Sequence, residues 1–530
     1  MTDEPPKPKA YWWRFTLASV LIVAATAAAT ATSVLFWLDD IADALAHNNV
    51  LKNKVDRYLA TVQGGAPENI LILGSDKRVG VTPDDPGRSD TTILLRLDPN
   101  RNAIAVMSIP RDLKVEIPGY GTDKFNAAYT YGGPKLTLRV VKQLTGLPIN
   151  HIVNVDFLGF VRAVNAIDCV YADIDRRYYH SNEGVPADQQ YAEIDVKPGY
   201  QPLCGERALE YVRYRHTDTD LVRSARQQDF LREARRRVPV SKLVPPGQGE
   251  LIEIFTDHTT SDISDTATMV QVMKLFIASR NANINEVRFP ATLGQSFVYA
   301  TAADIRGAVQ KFLGIEASGG PRGSLDDDDE GRRGRGGGKA KKNRRQRRNR
   351  PKLKPKPPGD DGLVPAAGSG ELEAKQATPL LGAEFPVYYP TRLPSAASYV
   401  PGSTIERSRN PRVYRIRTTD GQRREAYRMV LGVSLPDGTH YFGVQGIRGW
   451  EDPPTLGHPS ITRTIGGREY EIFVDGDRVR LVAWRDDGNS YWVSNSLLQV
   501  LTNDQMLGIA RSVKKIRPNP KPRPLPVAAR

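Results

Sequence analysis

Between Arg332 and Lys356 the chain reads RRGRGGGKAKKNRRQRRNRPKLKPK, fourteen lysines or arginines without one acid. This run lies inside a longer low-complexity tract, residues 316–378, that opens with DDDDE (326–330) and finishes in Pro, Gly and Ala. A tract of this composition buries too little apolar surface to offset chain entropy, so it is expected to be disordered. It splits the 530-residue chain into two folding units. It also accounts for the charge, because removing its fourteen basic residues from a formal net charge of +14 leaves about zero. The basicity belongs to a connector and not to a folded nucleic-acid-binding surface.

The N-terminus sets the compartment. Residues 15–38, FTLASVLIVAATAAATATSVLFWL, are 24 residues without a formal charge, and a helix needs about 20 to cross the hydrocarbon core. Lys7, Lys9 and Arg14 precede the run and Asp39 and Asp40 follow it. The positive-inside bias then keeps the tail 1–14 cytoplasmic and places everything after residue 38 outside the cell membrane. A cleaved signal peptide would suit AATAAATATS, but the apolar run continues through VLFWL, which favours a single-pass anchor. The two cysteines, Cys169 and Cys204, suit a disulfide in an exported domain better than a metal site, since two thiols cannot complete a zinc shell. A pair of free buried thiols is the alternative.

Residues 39–67 read as an amphipathic connector. Beyond it NILILG (69–74), TTILLRL (91–97) and AIAVMSI (103–109) have the apolar density of strands buried on both faces. Helices are expected from Pro134 to before Gly146, near Asp156, at Gly205, near Asp262 and near Thr301. The mixture predicts one α/β domain, 68–315, with an αβα arrangement around a central sheet. After the connector, residues 379–516 carry Asp-Gly turn signals at 420, 437, 475 and 487 between runs such as REYEIFV and RVRLVAW. The stretch TNDQMLGIARSVKKI, with Thr502 or Asn503 as N-cap, predicts a terminal helix on a small β-rich domain. Residues 517–530 form a proline-rich tail.

Charged residues concentrate at the ends of the first domain's strands. LGSDKR places Asp76 and Arg78 after the first strand, GRSD places Arg88 and Asp90 before the second, and SIPRD places Arg111 after the third. Strand ends are the usual ligand location in open α/β sheets. Asp76 and Asp90 together could share Mg²⁺, although either alone could simply cap a turn. Lys124 lies in TDKFNAAYTYGGP, beside an aromatic, glycine-rich loop. The segment 211–230, YVRYRHTDTDLVRSARQQDF, adds Arg213 and Arg215, then Arg223 and Gln227 four apart on one helix face, with Asp220 at the expected N-cap. Arginines converging on one pocket suit a pyrophosphate; a solvated, self-paired helix is the equally weighted alternative, and it is the one assigned to Arg226. There is no Walker loop, HExxH motif, serine elbow or four-ligand Cys/His cluster.

In order, NILILGSD, GRSDTTILLRLD, SIPRDLKVEIPG, DKFNAAYTYGGP, VDFLGFVRAV and ALEYVRYRHTDTDLVRSARQQDF resemble the LytR-CpsA-Psr family of membrane-anchored cell-envelope enzymes. The resemblance implies an αβα domain with a hydrophobic cavity for a polyprenyl tail. It implies transfer of a glycopolymer from a polyprenyl-diphosphate carrier to a peptidoglycan hydroxyl, and a polyprenyl pyrophosphatase side activity would use the same site. By motif, Asp76 and Asp90 would hold Mg²⁺. Arg78, Arg88, Arg111, Lys124, Arg213, Arg215, Arg223 and Gln227 would hold the diphosphate, and Asp220, with Arg213, Arg215 and Arg223, would act in catalysis. Two departures stand out: NAIDCV (165–170) replaces the family's Gly-Gly-Val, and LCGE (203–206) replaces LDGE. Each brings in a cysteine, which implies a compensating Cys169–Cys204 disulfide. The basic connector would meet anionic wall polymer or lipid headgroups rather than nucleic acid. The alternatives are a non-catalytic carrier-lipid or wall-binding protein, and a LytR-type transcriptional regulator.

Overall fold

A computed structural model describes residue 51 and residues 55–75, 87–314 and 361–517, apart from 88, 187–189, 191, 215–216, 239, 243–248, 280–281, 367, 383 and 401–409. The expected membrane segment 15–38 and the basic run lie outside the described residues. Among those described, no helix is long and apolar enough to cross a membrane.

In chain order the first unit contains β1 (Glu68–Ser75), β2 (Ser89–Asp98), β3 (Ala103–Ser108), β4 (Lys114–Ile117), β5 (Gly121–Lys124), α1 (Ala127–Thr145), β6 (His151–Asp156) and α2 (Phe157–Ala166). Next come β7 (Val170–Ile174), β8 (Tyr178–His180), β9 (Ile194–Val196), β10 (Gly199–Leu203), α3 (Gly205–Arg213), α4 (Asp220–Arg237), α5 (Gly249–His258) and β11 (Thr259–Ser261). It closes with α6 (Thr266–Ala278), β12 (Asn283–Val287), β13 (Thr292–Leu293), β14 (Val298–Tyr299) and α7 (Ala302–Leu313). The main sheet has the order β11-β6-β1-β2-β3-β12, with β1 parallel to β6 and β3 parallel to β12. Leu71 and Leu73 of β1 pack with Leu138 and Val141 of α1 and Ile305 and Phe312 of α7. Their neighbour Ile70 packs on the opposite face with Leu275 of α6. Covering both faces explains why NILILG is apolar throughout instead of alternating.

Two helix starts differ from expectation. Helix α1 begins at Ala127 and is broken at Gly132 and Gly133, the latter at φ 60°, so Pro134 opens only its second stretch. Helix α6 is capped by Asp265, which accepts from Thr268 N, because Asp262 is used elsewhere. Asp262 accepts from Ile152 N at 2.7 Å and lies 2.8 Å from His151 Nδ1. Glu68 approaches the other ring nitrogen at 3.4 Å. Burial alone would lower the His151 pKa, but the hydrogen bonds and charges of Asp262 and Glu68 outweigh it and raise the pKa to about 9.

The second unit begins earlier than expected, within the stretch read as connector. Strand β15 (Leu363–Pro365) pairs antiparallel with β17 (Arg392–Pro394), and α8 (Ser369–Ala377) buries Ala374 and Ala377 in the domain core. Their Ala, Gly and Pro content resembles low complexity, but small residues are what let this helix lie close to the sheet. The domain continues with β16 (Val387–Pro390), β18 (Ala397–Tyr399), β19 (Arg412–Arg417), β20 (Arg423–Leu435) and β21 (Gly438–Ile447). It ends with β22 (Ile461–Ile465), β23 (Arg468–Asp475), β24 (Arg478–Asp486), β25 (Asn489–Ser494), α9 (Asn503–Arg511) and β26 (Val513–Ile516). One large sheet, β18-β20-β21-β25-β24-β23-β22 with β19 on β20, dominates it. Thr502 caps α9 in a full capping box with Gln505.

Cys169 and Cys204 form a disulfide with Cα atoms 4.4 Å apart. It closes one end of the β7–β10 ribbon, where Val170 pairs with Leu203. Asp168 and Cys169 sit at φ 60° and 64°, a conformation that glycine adopts freely and other residues resist. The Gly-Gly that the family resemblance implies at this bend would suit that conformation. Here the bend is held instead by the disulfide and by Arg237, which donates to the carbonyls of Asp168 at 2.9 Å and Cys169 at 3.2 Å.

Two outcomes follow. The His151 pKa is raised on folding, so its stabilisation is complete below about 6.5 and is lost as pH rises towards 9. Urea unfolding at pH 6 and pH 9 should show that loss, on the order of 3 kcal/mol, and His151→Gln should abolish the difference. Replacing both cysteines by alanine releases a loop of sequence separation 35 and should cost roughly 3–4 kcal/mol in thermal unfolding.

Candidate active site

The ends of β2 and β3 and the start of α4 meet at Arg111. Its guanidinium contacts Asp90 Oδ1 through Nη1 at 2.6 Å, and its Nε lies 3.5 Å from Asp112 Oδ2 and 3.7 Å from Asp220 Oδ1. Its backbone N–H donates to Asp220 Oδ2 at 2.9 Å. Proline at 110 ends the strand, so the arginine turns back over the sheet edge instead of continuing the ladder. Lys124, from the β4–β5 hairpin, reaches Asp112 Oδ1 at 3.1 Å. Four cation- and anion-bearing segments, distant in sequence, thus converge at one mouth of the sheet.

Helix α4 supplies the other wall. Thr219, not Asp220, is its N-cap, accepting from Val222 N. Asp220 occupies the first helical position, where an acid suits the helix dipole, and its carboxylate is left to bind Arg111 and Arg223. Arg223 is 3% exposed, and its Nε and Nη1 are buried with no hydrogen-bond partner among the described residues; the Nε of Arg111 is in the same state. Buried guanidinium N–H groups without acceptors are costly, and an anion between Arg111 and Arg223 would satisfy them. Burial raises the Asp220 pKa, against the pull of Arg223 and Arg111. Burial also lowers the Arg223 pKa, with Asp220 opposing.

The structure therefore brings together Asp90, Arg111, Lys124, Asp220 and Arg223. Gln227 is adjacent, but its amide nitrogen donates to Thr91 Oγ1 at 3.0 Å and Val212 O at 3.2 Å, clasping α4 to β2 and α3. Arg213, the last residue of α3, lies 4.1 Å from the ring centroid of Phe157 at the start of α2. Asp76, Arg78, Arg88 and Arg215 lie outside the described residues. Asp112, which bridges Arg111 and Lys124, was overlooked in the sequence although the quoted SIPRD contains it. Arg226 is fully buried, donating to Tyr211 O at 2.8 Å, Tyr214 O at 3.0 Å and Asp218. Of the solvated, self-paired role expected of it, the pairing holds, with Asp218, but the solvation does not, because Tyr211, Tyr214 and Asp218 cover that helix face.

Arginines and aspartates gathered at the strand ends of an α/β sheet are an arrangement that suits phosphate groups. The LytR_cpsA_psr family model matches residues 35–311, and the chain belongs to this family. The probable cell wall biosynthesis protein LcpB of Corynebacterium glutamicum is 37% identical over 194 residues, covering 34% of this chain and 44% of that one. The polyisoprenyl-teichoic acid–peptidoglycan teichoic acid transferase TagU of Oceanobacillus iheyensis is 32% identical over 221 residues, covering 40% and 64%. The match thus spans from under half to under two thirds of these relatives. A solved structure titled "TagT bound to LI-WTA" is 24% identical over 48% of this chain and 94% of that chain, with a TM-score of 0.38.

The orphaned guanidinium groups lead to a prediction. Arg223→Lys keeps the charge but loses the planar fork, so calorimetry should show pyrophosphate binding weakened at least about tenfold, roughly 1.4 kcal/mol, with folding intact.

Proposed function

We propose that this chain is a membrane-anchored, extracytoplasmic phosphotransferase that moves a glycopolymer from a polyprenyl-diphosphate carrier onto a peptidoglycan hydroxyl. The observation that carries this is the buried guanidinium of Arg223, whose Nε and Nη1 have no hydrogen-bond partner among the described residues, beside Arg111, Asp90 and Asp220. TagU, named for such a transfer, is among the relatives. The acceptor oxygen bonds to the sugar-side phosphorus, the bond from that phosphorus to the bridging oxygen breaks, and prenyl phosphate departs. Arg111, Arg223 and Lys124 neutralise the diphosphate and the charge that develops on the departing phosphate; such fixed charges in a dry site are the main lever in reactions of this kind. Asp220, its pKa raised by burial, takes the hydroxyl proton. The same groups acting on water would give pyrophosphatase activity.

Mg²⁺ would be held by Asp90, which stands at the strand mouth with Oδ1 turned to Arg111, and by Asp76, which follows β1 in sequence and lies outside the described residues; among the described residues no group of three metal-ligating side chains forms. When bound, the ion would neutralise diphosphate oxygens. The tail has a candidate wall in Ile72 of β1, Leu95 of β2, Val153 of β6 and Val272 of α6, apolar side chains left only partly buried beside the sheet. The span 15–38 would hold the domain at the membrane that contains such a carrier, with the basic connector against anionic wall polymer or headgroups.

The full chain, incubated with Mg²⁺ and a short prenyl-diphosphate-linked saccharide, should release prenyl phosphate. Asp90→Ala and Arg111→Ala should each lower the rate at least about a hundredfold without unfolding. Activity should fall as the pH drops through a pKa above the ordinary aspartate value, because Asp220 must be ionised to accept the proton. Tight binding without release would instead identify a carrier-lipid-binding protein.

A further inference from the structure

We propose that the C-terminal β-domain is a fixed part of the catalytic unit, docked in cis on the β7–β10 ribbon so that it positions the turn and helix presenting Arg213, Asp220 and Arg223. This rests on the transfer proposed above for its catalytic consequence, but not for the docking itself.

The ribbon has two chemically different faces. Val170, Ala172 and Ile174 of β7 point into the α/β domain's own core, with Leu203 of β10. The alternate positions Tyr171 and Asp173, and Tyr200 paired opposite Asp173, point the other way. On that side Tyr171 and Tyr200 are buried with Ile416, Phe473, Trp450 and Trp492 of the C-terminal domain. Asp173 accepts from Trp492 Nε1 at 2.9 Å and pairs with the fully buried Arg428 at 3.1 Å. A buried carboxylate and guanidinium are costly unless paired, and here each domain supplies one partner. Gly199, at φ 112°, completes the fit: a Cβ there would stand 2.5 Å from the hydroxyl of Tyr414, which donates to Tyr200 O at 3.0 Å. Two large aromatics and an aspartate on one strand face, stapled by the disulfide, form a platform made for this occupant.

The dock grips the site from two ends. At the C-terminal half of α4, Arg232 lies 3.6 Å from Asp475, Glu233 lies 3.8 Å from Arg480, and Arg236 donates to Thr455 O at 3.1 Å. At the other end, Arg176 pairs with Asp218 in the α3–α4 turn. Its guanidinium lies between the rings of Tyr178 and Tyr214, at 4.6 and 5.5 Å, and Tyr441 of the C-terminal domain, at 5.2 Å. Asp218 in turn binds Arg226, which holds the carbonyls of Tyr211 and Tyr214. Tyr441 therefore bears on the turn between Arg213 and Asp220, and it acts as a positioning residue.

The test uses the full chain with a specific protease site placed within residues 332–356. After cleavage the halves should co-elute, and prenyl-phosphate release should persist within about twofold. Tyr441→Ala should lower kcat about tenfold, roughly 1.4 kcal/mol in the barrier, with KM for the lipid diphosphate and the melting temperature unchanged. Hydrogen exchange at 214–219 should quicken, and Tyr441→Phe, which keeps the ring over Arg176, should restore both readouts. Halves that separate while activity persists, or Tyr441→Ala with unchanged kcat and exchange, would overturn the proposal. If the parent chain releases no prenyl phosphate, the transfer reaction is what fails, and co-elution with exchange at 214–219 still decides the docking.

Discussion

The carboxylate of Asp220 is the contact on which the site depends. One oxygen receives the backbone N–H of Arg111 and the other faces the guanidinium of Arg223, so it ties the end of β3 to the start of α4. Without it, Arg111 would lose its register and Arg223 would be a buried cation without its ion-pair partner, a loss that typically costs several kcal/mol. Burial raises this carboxyl while two arginines pull it down.

The arginines differ in what they are free to do. Arg226 gives both terminal nitrogens to carbonyls and Asp218, leaving only its Nε without a partner among the described residues, and is a structural clasp. Arg223, one turn earlier on the same helix, leaves both Nε and Nη1 without one. Two residues of one type, three positions apart, thus take opposite roles because the α3–α4 turn covers one helix face and the strand ends open beside the other. The C-terminal domain extends the same logic outward, since its ion pairs to α4 and its aromatic contact with Arg176 brace the covered face.

Much of this was legible in the sequence. Apolar runs ending in charged residues marked the strands and the mouth of the sheet, and the spacing of Asp220, Arg223 and Gln227 marked one helix. What the sequence did not disclose were choices between equivalent neighbours. Thr219 took the cap expected of Asp220, since either side chain can accept from the first turn. Asp112 was hidden by the arginine beside it, and Gln227 turned out to clasp Thr91. The start of the second domain near residue 361 was masked because small residues serve close packing and disorder alike. The docked face of β7 and β10 was invisible because a Tyr-x-Asp alternation looks like an ordinary solvent-facing edge until a partner is present.

The most direct measurement is a crystal structure of the full chain with Mg²⁺ and geranylgeranyl diphosphate. The account predicts diphosphate oxygens within hydrogen-bond distance of Arg223 Nε or Nη1 and of the Arg111 guanidinium, with the prenyl chain running along Ile72, Leu95 and Val272. A diphosphate bound elsewhere, with Arg223 Nε and Nη1 still without acceptors, would contradict it.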